Sequence, residues 1–507
     1  MRLAAVPATL LAVLILLPEA AAGQGFPAEA PPRVVRTPVA AQAQPQAADV
    51  PADSGRLIDV LVAWTPAAEV AAGGAAAMQA LVESAVASTN TAYLNSGVAQ
   101  RVRLVHAQQV AYAERSGPCA DPVSGELSTE PIVCALFDVT GTADGFMDGV
   151  HALRDAHGAD LVALLVRDTA YCGVAWLPQP PSAATSHLGF AVVEQGCAVG
   201  NLSFAHELGH NMGAHHDPYV LDPGTCADGR EAGAWCYSRG IVNVVQRWRT
   251  VMAYNTQCLA SGVNCARLPY LSNPNLALGG APLGNAALGN NSHTLNRTAK
   301  AVAAYRPTSP LHPVPQRFAD VPPTSPFFGH VDFLAQAAIT DGCASGAYCP
   351  DVATTREQVA VFLERAKRAS NWTPPPATGL FTDVAASRPF APFIEALYAD
   401  GITNGCDATR YCPDAPVTRA QAAALLVRTR CGAAYVPATP ASQVFADVPP
   451  SHLFYAHIGK LYEQGVTTGC ATGPLRYCPD DATTRAQIAA MLERAHPFAA
   501  PSEACIP

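Results

Sequence analysis

The sequence carries no surplus of positive charge: 31 Lys and Arg stand against 40 Asp and Glu, a formal net charge of −9. An electrostatic grip on nucleic acid or on an anionic membrane is therefore not expected. Lysine is scarce beside arginine, a bias that bears on origin rather than on mechanism. After the first two dozen residues no apolar run approaches the ~20 residues a membrane span requires. No C-x-x-C pair occurs among the 16 cysteines, which argues against thiolate metal sites and for disulfides. The segment 23–55, rich in Ala, Pro and Gln, has no cysteine, so no thiol latch on a metal can come from it. It reads as a disordered leader or short propeptide, with Asp49 or Asp53 as a conceivable acidic latch against the plainer reading of a linker.

What is present begins with an address. Met1-Arg2, the apolar stretch Leu10 to Leu17 and the small residues Ala20-Ala21-Ala22 form a signal peptide over 1–22, so the chain is expected to be exported and, with no later span, soluble. Export into an oxidising compartment suits the cysteines. The eight in the front half favour local pairs: 119–134, 172–197, 226–236 and 258–265. At 507 residues the chain has room for two to four domains.

The chemistry is concentrated in His206-Glu207-Leu208-Gly209-His210-Asn211-Met212-Gly213-Ala214-His215-His216, which contains H-E-x-x-H-x-x-G-x-x-H. Five fixed positions arise by chance on the order of once in ten thousand sequences or less. Residues four apart share one helix face, so His206 and His210 can offer two imidazoles to one ion. Glu207 is placed to reach a metal-bound water rather than the metal. Gly213 can adopt the left-handed conformation that ends a helix and turns His216 back to close the site. Three protein ligands leave a fourth position open, which marks a catalytic zinc site. The expected carrier is a helix over about 202–212, with Asn201 as a polar cap. Replacing Glu207 is expected to stop turnover while zinc stays bound.

This motif is specific to the metzincin clan of metallopeptidases, which the chain resembles in further segments. Met252 in Thr250-Val251-Met252-Ala253-Tyr254 resembles the Met-turn beneath the zinc, and Tyr254 stands where astacins and serralysins carry a tyrosine able to reach the metal. Tyr254 is equally readable as a buried structural tyrosine. Leu57 to Pro66 looks like the first strand of a reprolysin-like domain, and Cys172 to Leu177 resembles the loop ahead of its substrate-flanking strand. Leu268 to Pro274 and Thr294 to Ala299 resemble closing segments of secreted bacterial members, among them the peptidyl-Asp metalloendopeptidases. The resemblance implies a zinc endopeptidase acting on proteins or peptides, with Glu207 as general base and Tyr254 assisting the oxyanion. Asp217 is assigned a structural hydrogen-bonding role. A calcium ion is compatible with such an enzyme, and no motif specifies one.

The catalytic domain is expected over 56–306 as a mixed α/β (α+β) metzincin-type fold: strand 57–64, helix 75–95, strand 101–112, helix 145–157, strand 160–167, strand 188–194, then the zinc helix. The strand at Gly189-Phe190-Ala191-Val192-Val193 is read as the sheet edge to which an extended substrate adds. Residues 307–317, spaced by prolines, read as a stiff linker.

Beyond the linker the chain repeats itself about every 63 residues, over 318–380, 381–444 and 445–507. Phe-x-Asp-Val opens each unit at 318, 381 and 445, Gly-Cys and Tyr-Cys-Pro steps follow, and a Thr-Arg-x-Gln helix start comes last, from Thr355, Thr418 and Thr484. These units resemble S-layer homology repeats, which implies an all-α-rich module and a cell-envelope polymer as partner. Two features depart from that pattern. Gln358, Gln421 and Gln487 replace the usual glutamate, and each turn has two extra cysteines, implying pairs 343–349, 406–412 and 470–478, with Cys431 and Cys505 left to pair. Arg356, Arg419 and Arg485 are candidate polymer contacts or, as the lost glutamates favour, packing residues. The reading is a secreted or cell-surface zinc endopeptidase with an attachment module; the alternative is an adhesion or wall-binding protein in which proteolysis is secondary.

Overall fold

Leu57–Trp64 (β2) is an apolar, β-branched run whose residues are nearly all buried, as expected of a strand covered on both faces. The computed structural model of the chain describes residues 32–36, 57–168, 170–220, 235–368, 372–498 and 505. The signal-peptide call, Asp49, Asp53 and Cys226 therefore fall outside the described residues. β2 stands in a six-stranded sheet with Arg33–Arg36 (β1), Arg101–Gln109 (β3), Leu161–Val166 (β4), Gly173–Gln179 (β5) and Phe190–Glu194 (β6). The order is β1-β5-β6-β4-β2-β3, and only the β5/β6 pairing is antiparallel.

The pleat sends alternate residues to two cores. Ile58, Val60, Val62 and Trp64 pack with the helix Ala75–Asn95 (α1), the helix Ser203–Asn211 (α3) and the helix Asn291–Val302 (α4). Leu61 and Ala63 face the other way, onto the helix Pro131–Thr140 (α2). The one acid in β2, Asp59, is buried and takes a two-point grip from Arg103, with Nε and Nη2 each 2.7 Å from its oxygens.

The expected strand at 57–64 and helix at 75–95 agree with the structure to the residue, while the strand expected to 112 ends at Gln109 and the helix expected from 145 begins at Gly149. Two expectations are corrected. The strand at 189–193 is not the sheet edge: β6 lies between β5 and β4. Cys172 to Leu177 is not a loop, because Gly173–Gln179 is itself the strand that borders β6 on the outside. Both stretches are buried apolar runs, which carry no signal for edge or centre.

Among the described residues the repeats contribute six helices: Phe328–Gln336, Arg356–Lys367, Ala391–Ala399, Arg419–Cys431, Tyr455–Glu463 and Arg485–Ala495. The second helix of each unit opens on a reciprocal capping box, in which the Thr hydroxyl accepts from the Gln backbone N–H and the Gln side-chain oxygen accepts from the Thr N–H. Glutamine serves this box without charge, so the missing glutamates leave the helix start intact. The motif arginines close the three units into a ring: Arg356 Nε donates to Tyr411 O, Arg419 Nε to Tyr477 O and Arg485 Nε to Tyr348 O, each at 2.8 Å. Each guanidinium also lies 4.8 Å from the ring centre of that same tyrosine. All three are buried, so packing is their role and not exposed polymer contact.

The described cysteines form seven disulfides: 119–134, 172–197, 258–265, 343–349, 406–412, 470–478 and 431–505. The linker does not stand off as a free spacer. Ser309 Oγ donates to Ala156 O at 2.8 Å, the His157 and His312 rings meet at 2.9 Å, and Arg103 Nη1 donates to Pro313 O at 3.1 Å. Lys300 pairs with the Glu493 carboxylate, and Ala99 joins the core of the repeats.

Arg419→Ala should lower the melting temperature of the repeat module, since it removes a charge-assisted bond to a backbone carbonyl that contributes roughly 1.5–3 kcal/mol. Differential scanning calorimetry of the full chain reads this; a melting profile identical to the parent's would show that the ring closes without its arginines.

Candidate active site

All nine residues of α3 (Ser203–Asn211) are buried, because the helix runs under the sheet rather than over its surface. Its start differs from the expected Asn201 cap. Leu202 precedes the helix in the left-handed region at φ 54°, and Asn201 instead donates to Ser203 Oγ at 3.1 Å and accepts from Arg249 Nη2 at 3.3 Å. Its end agrees with expectation: Gly213 takes φ 89°, its N–H donates to His210 O at 2.8 Å, and the chain reverses to bring His216 back.

The three imidazoles then converge. His206 Nε2 lies 3.1 Å from His216 Nε2 and 3.1 Å from His210 Nε2, and His210 Nε2 lies 2.9 Å from His216 Nε2. The tautomers of two of them follow from backbone acceptors. His206 Nδ1 is 2.8 Å from Val251 O and His210 Nδ1 is 2.8 Å from Ala214 O; a carbonyl can only accept, so each Nδ1 carries the hydrogen. In a neutral ring Nε2 is then a lone pair, and at least two lone pairs face each other at van der Waals distance or closer. Burial above all, and then His210 and His206, hold His216 well below its ordinary pKa, so it too is neutral. Such a cluster is repulsive by itself and suits a cation. Tetrahedral zinc with bonds of ~2.0–2.1 Å spaces its nitrogens by about 3.3 Å, close to the separations found. The donor set therefore fits zinc, and His215, whose N–H donates to Ser238 O at 2.6 Å, is not part of it.

Residues around the triad fix its shape. Met252 is fully buried beneath α3, and a Cβ added to Gly209 would come within 2.6 Å of Met252 Sδ, so glycine there lets the methionine close up under the ligands. Glu207 is fully buried, and a Cβ added to Gly173 would lie 2.5 Å from its Oε1. The start of β5 is thus shaped to the Glu207 carboxylate. Tyr254 packs its ring on His216, with centroids 4.0 Å apart, and its N–H donates to Asp217 Oδ2 at 2.8 Å. Asp217 also accepts from Tyr219 N at 3.1 Å, a structural role as expected, and its burial pushes the carboxyl above its ordinary pKa. Asn211, four residues after Glu207 on α3, donates to Trp176 O at 2.9 Å and Phe190 O at 3.0 Å, tying the zinc helix to β5 and β6. Arg249 Nη1 donates to Ala253 O at 2.7 Å and holds the turn that carries Met252. The sequence reading missed Gly173, Asn211 and Arg249. Only Asn211 lies within the motif, at one of its unspecified positions, and nothing in its spacing signals a partner on another strand.

Residues 54–264 match the model of Metallo-peptidase family M12, of reprolysin type, and residues 317–360 and 380–423 match the S-layer homology domain. Residues 54–264 form a reprolysin-like domain. A peptidyl-Asp metalloendopeptidase of Stenotrophomonas maltophilia (strain K279a) is 37% identical over 252 residues, 49% of this chain and 52% of that protein. A protein of the same name from Xanthomonas campestris pv. campestris is 36% identical over 260 residues, 51% of this chain and 54% of that protein. A cell surface protein of Thermoanaerobacter kivui is 34% identical over 124 residues, 24% of this chain and 16% of that protein. The chain spans about half the length of the peptidase relatives, and the shared part is the reprolysin-like domain.

His216→Ala should lower bound zinc sharply, while His215→Ala should retain it. Metal analysis of the purified proteins checks this, and full zinc occupancy in His216→Ala would remove it from the ligand set.

Proposed function

We propose that this chain is a secreted, zinc-dependent endopeptidase whose C-terminal repeats attach it to a cell envelope. The observation that carries the reading is the convergence of three histidine Nε2 atoms on one buried point, with a buried glutamate on the same helix. His206, His210 and His216 would hold the ion. Zinc, when bound, supplies a Lewis acid and lowers the pKa of water towards ~7. Glu207 follows the first ligand, and a Cβ at Gly173 would meet its carboxylate, which supports a role for the acid beside the strand a substrate would join. In this reading Glu207 serves as general base, taking a proton from the attacking water and delivering it to the leaving amine. Tyr254, whose ring packs against His216, is assigned the oxyanion. The names of the relatives make bonds at aspartate the first substrates to test.

The division into a catalytic unit over 56–306 and a repeat unit over 318–507 belongs to the same proposal. The repeats support envelope attachment through their likeness to the S-layer homology domain. A purely adhesive protein would leave unexplained why glycine at 173 makes room for an acid beside the metal ligands.

Glu207→Gln should keep zinc and lose roughly two to four orders of magnitude in turnover. Gly173→Ala should also keep zinc, because no ligand moves, yet lower kcat by displacing the carboxylate. Tyr254→Phe should reduce kcat with little change in KM if the hydroxyl acts only in the transition state. Chelator-reversible cleavage of an aspartate-containing peptide is the assay for all three. Parent-like kcat in zinc-loaded Glu207→Gln would sink the mechanism.

A further inference from the structure

Three imidazoles from three parts of the chain meet at the β3 edge of the sheet, the edge opposite β1. His106 stands on β3, His157 is the last residue of the helix Gly149–His157, and His312 lies in the proline-spaced segment. The His106 and His157 rings stack with centroids 4.0 Å apart and planes 17° from parallel, and His157 Nδ1 lies 2.9 Å from His312 Nε2. All three residues are half-buried. The seat beneath His312 is shaped to the segment it holds. Gly158 ends the helix at φ 65°, and a Cβ there would lie 2.5 Å from Pro307 O and 2.7 Å from Ser309 N. Ser309 Oγ donates to Ala156 O, and Arg103 donates from β3 to Pro313 O.

The His157–His312 contact is an N–H···N hydrogen bond, in which one ring donates and the other must offer a bare nitrogen. One extra proton on the pair is compatible with that bond. A second turns both facing nitrogens into donors and breaks it, and a charged His106 stacked on His157 adds a further like charge at contact distance. The acids on the surrounding elements are engaged elsewhere. Asp155, on the same helix, pairs with Arg306; Asp59, on β2, is held by Arg103; Asp160 accepts from the Arg306 backbone N–H. Arg154, also in the last turn of the helix, is buried and donates to the carbonyls of Ala159, Asp160 and Ser186. A helix C-terminus by itself favours a cation. Burial first, and then His106 and His312, nevertheless set His157 below its ordinary pKa.

We propose that His106, His157 and His312 form a proton-operated latch, which holds residues 307–313 against the catalytic unit when neutral and releases them when protonated. The latch operates whether or not the zinc site cleaves peptides. Release leaves the two units joined through the contacts at their rim, Lys300 with Glu493 and Ala99 in the repeat core, and gives the proline-spaced segment slack. A histidine whose pKa falls on docking stabilises the docked form fully above its undocked pKa of ~6.5 and loses that contribution as pH drops below it. Docking therefore weakens in acid, by about tenfold per pH unit for each proton taken up on release.

The test is hydrogen exchange of the segment 308–314 in the full chain at about pH 7.5 and about pH 5, with rates corrected for the intrinsic pH dependence of exchange. His312 N–H donates to Ser309 O at 2.9 Å, which supplies a protected amide within the segment. Helix α1, Ala75–Asn95, is the reference for global stability. In the parent, protection of the segment should fall roughly tenfold or more in acid, while α1 keeps its protection. The double substitution His157→Gln, His312→Gln preserves a donor and an acceptor without a titrating group, and its protection should stay near the parent's neutral level at both pH values. His312→Lys, a permanent charge, should lower protection of the segment already at about pH 7.5. Parent protection that does not change with pH would overturn the latch, and so would an equal loss in α1, which reports acid unfolding of the whole unit. A double variant that keeps the parent's pH response would overturn the assignment to these rings.

Discussion

The site depends on two backbone carbonyls. Val251 O and Ala214 O each accept a hydrogen from a histidine Nδ1, and in doing so they fix which nitrogen of the ring is bare. Rotate either ring or protonate the other nitrogen and the lone pairs no longer meet. Both carbonyls come from turns, and both turns are held by residues remote from the metal. Ala214 is placed by the left-handed Gly213. Val251 precedes Met252, whose turn is clamped through Ala253 O by Arg249. A helix alone would present two imidazoles with free rotation about each side chain. The turns convert that pair into a cluster with one arrangement, at the cost of bringing neutral nitrogens together.

Some of this was legible in the sequence and some was not, for physical reasons that differ by residue. His206, His210 and His216 could be read because helical periodicity and the glycine conformation are local properties, encoded within eleven residues. Leu57–Trp64 and Ala75–Asn95 were legible because a long buried strand and a long helix leave periodic or continuous apolar patterns. The sheet edge was not. β5 and β6 are both short apolar runs, and the choice between edge and interior is made by pairing between segments far apart in the chain. Gly173 was invisible for a related reason: its importance lies in the absence of an atom next to Glu207, thirty-four positions later in sequence. Asn201, a reasonable cap by type, was drawn away by Arg249 and Ser203, a tertiary contact overriding a local preference.

The repeats show the same division between local code and long-range use. Thr-x-x-Gln is legible as a capping box whether the last residue is acid or amide, because the box needs an acceptor for one N–H and not a charge. What the motif arginine does is decided across repeats. Each reaches the Tyr-Cys step of the next unit, and the third reaches back to the first, so the ring exists only when all three are present. Repeat periodicity implies stacking of neighbours; here the stack closes, and closure is what buries the arginines.

Closure also bears on how the two halves of the chain are joined. A ring has no free end to grip a neighbour, so contact with the catalytic unit must come from its rim. That contact is present: Glu493, on the last helix of the third repeat, takes Lys300 from α4 and His330 from the first repeat. The same α4 packs into the core beneath the zinc helix, since Leu295 and Ala299 share a cluster with Phe204 and Leu208. The proline-spaced segment is laid along the catalytic surface by Ser309 and His312 and leaves little slack between the two units. Attachment through the repeats would therefore hold the zinc cleft at a set distance from the attached surface.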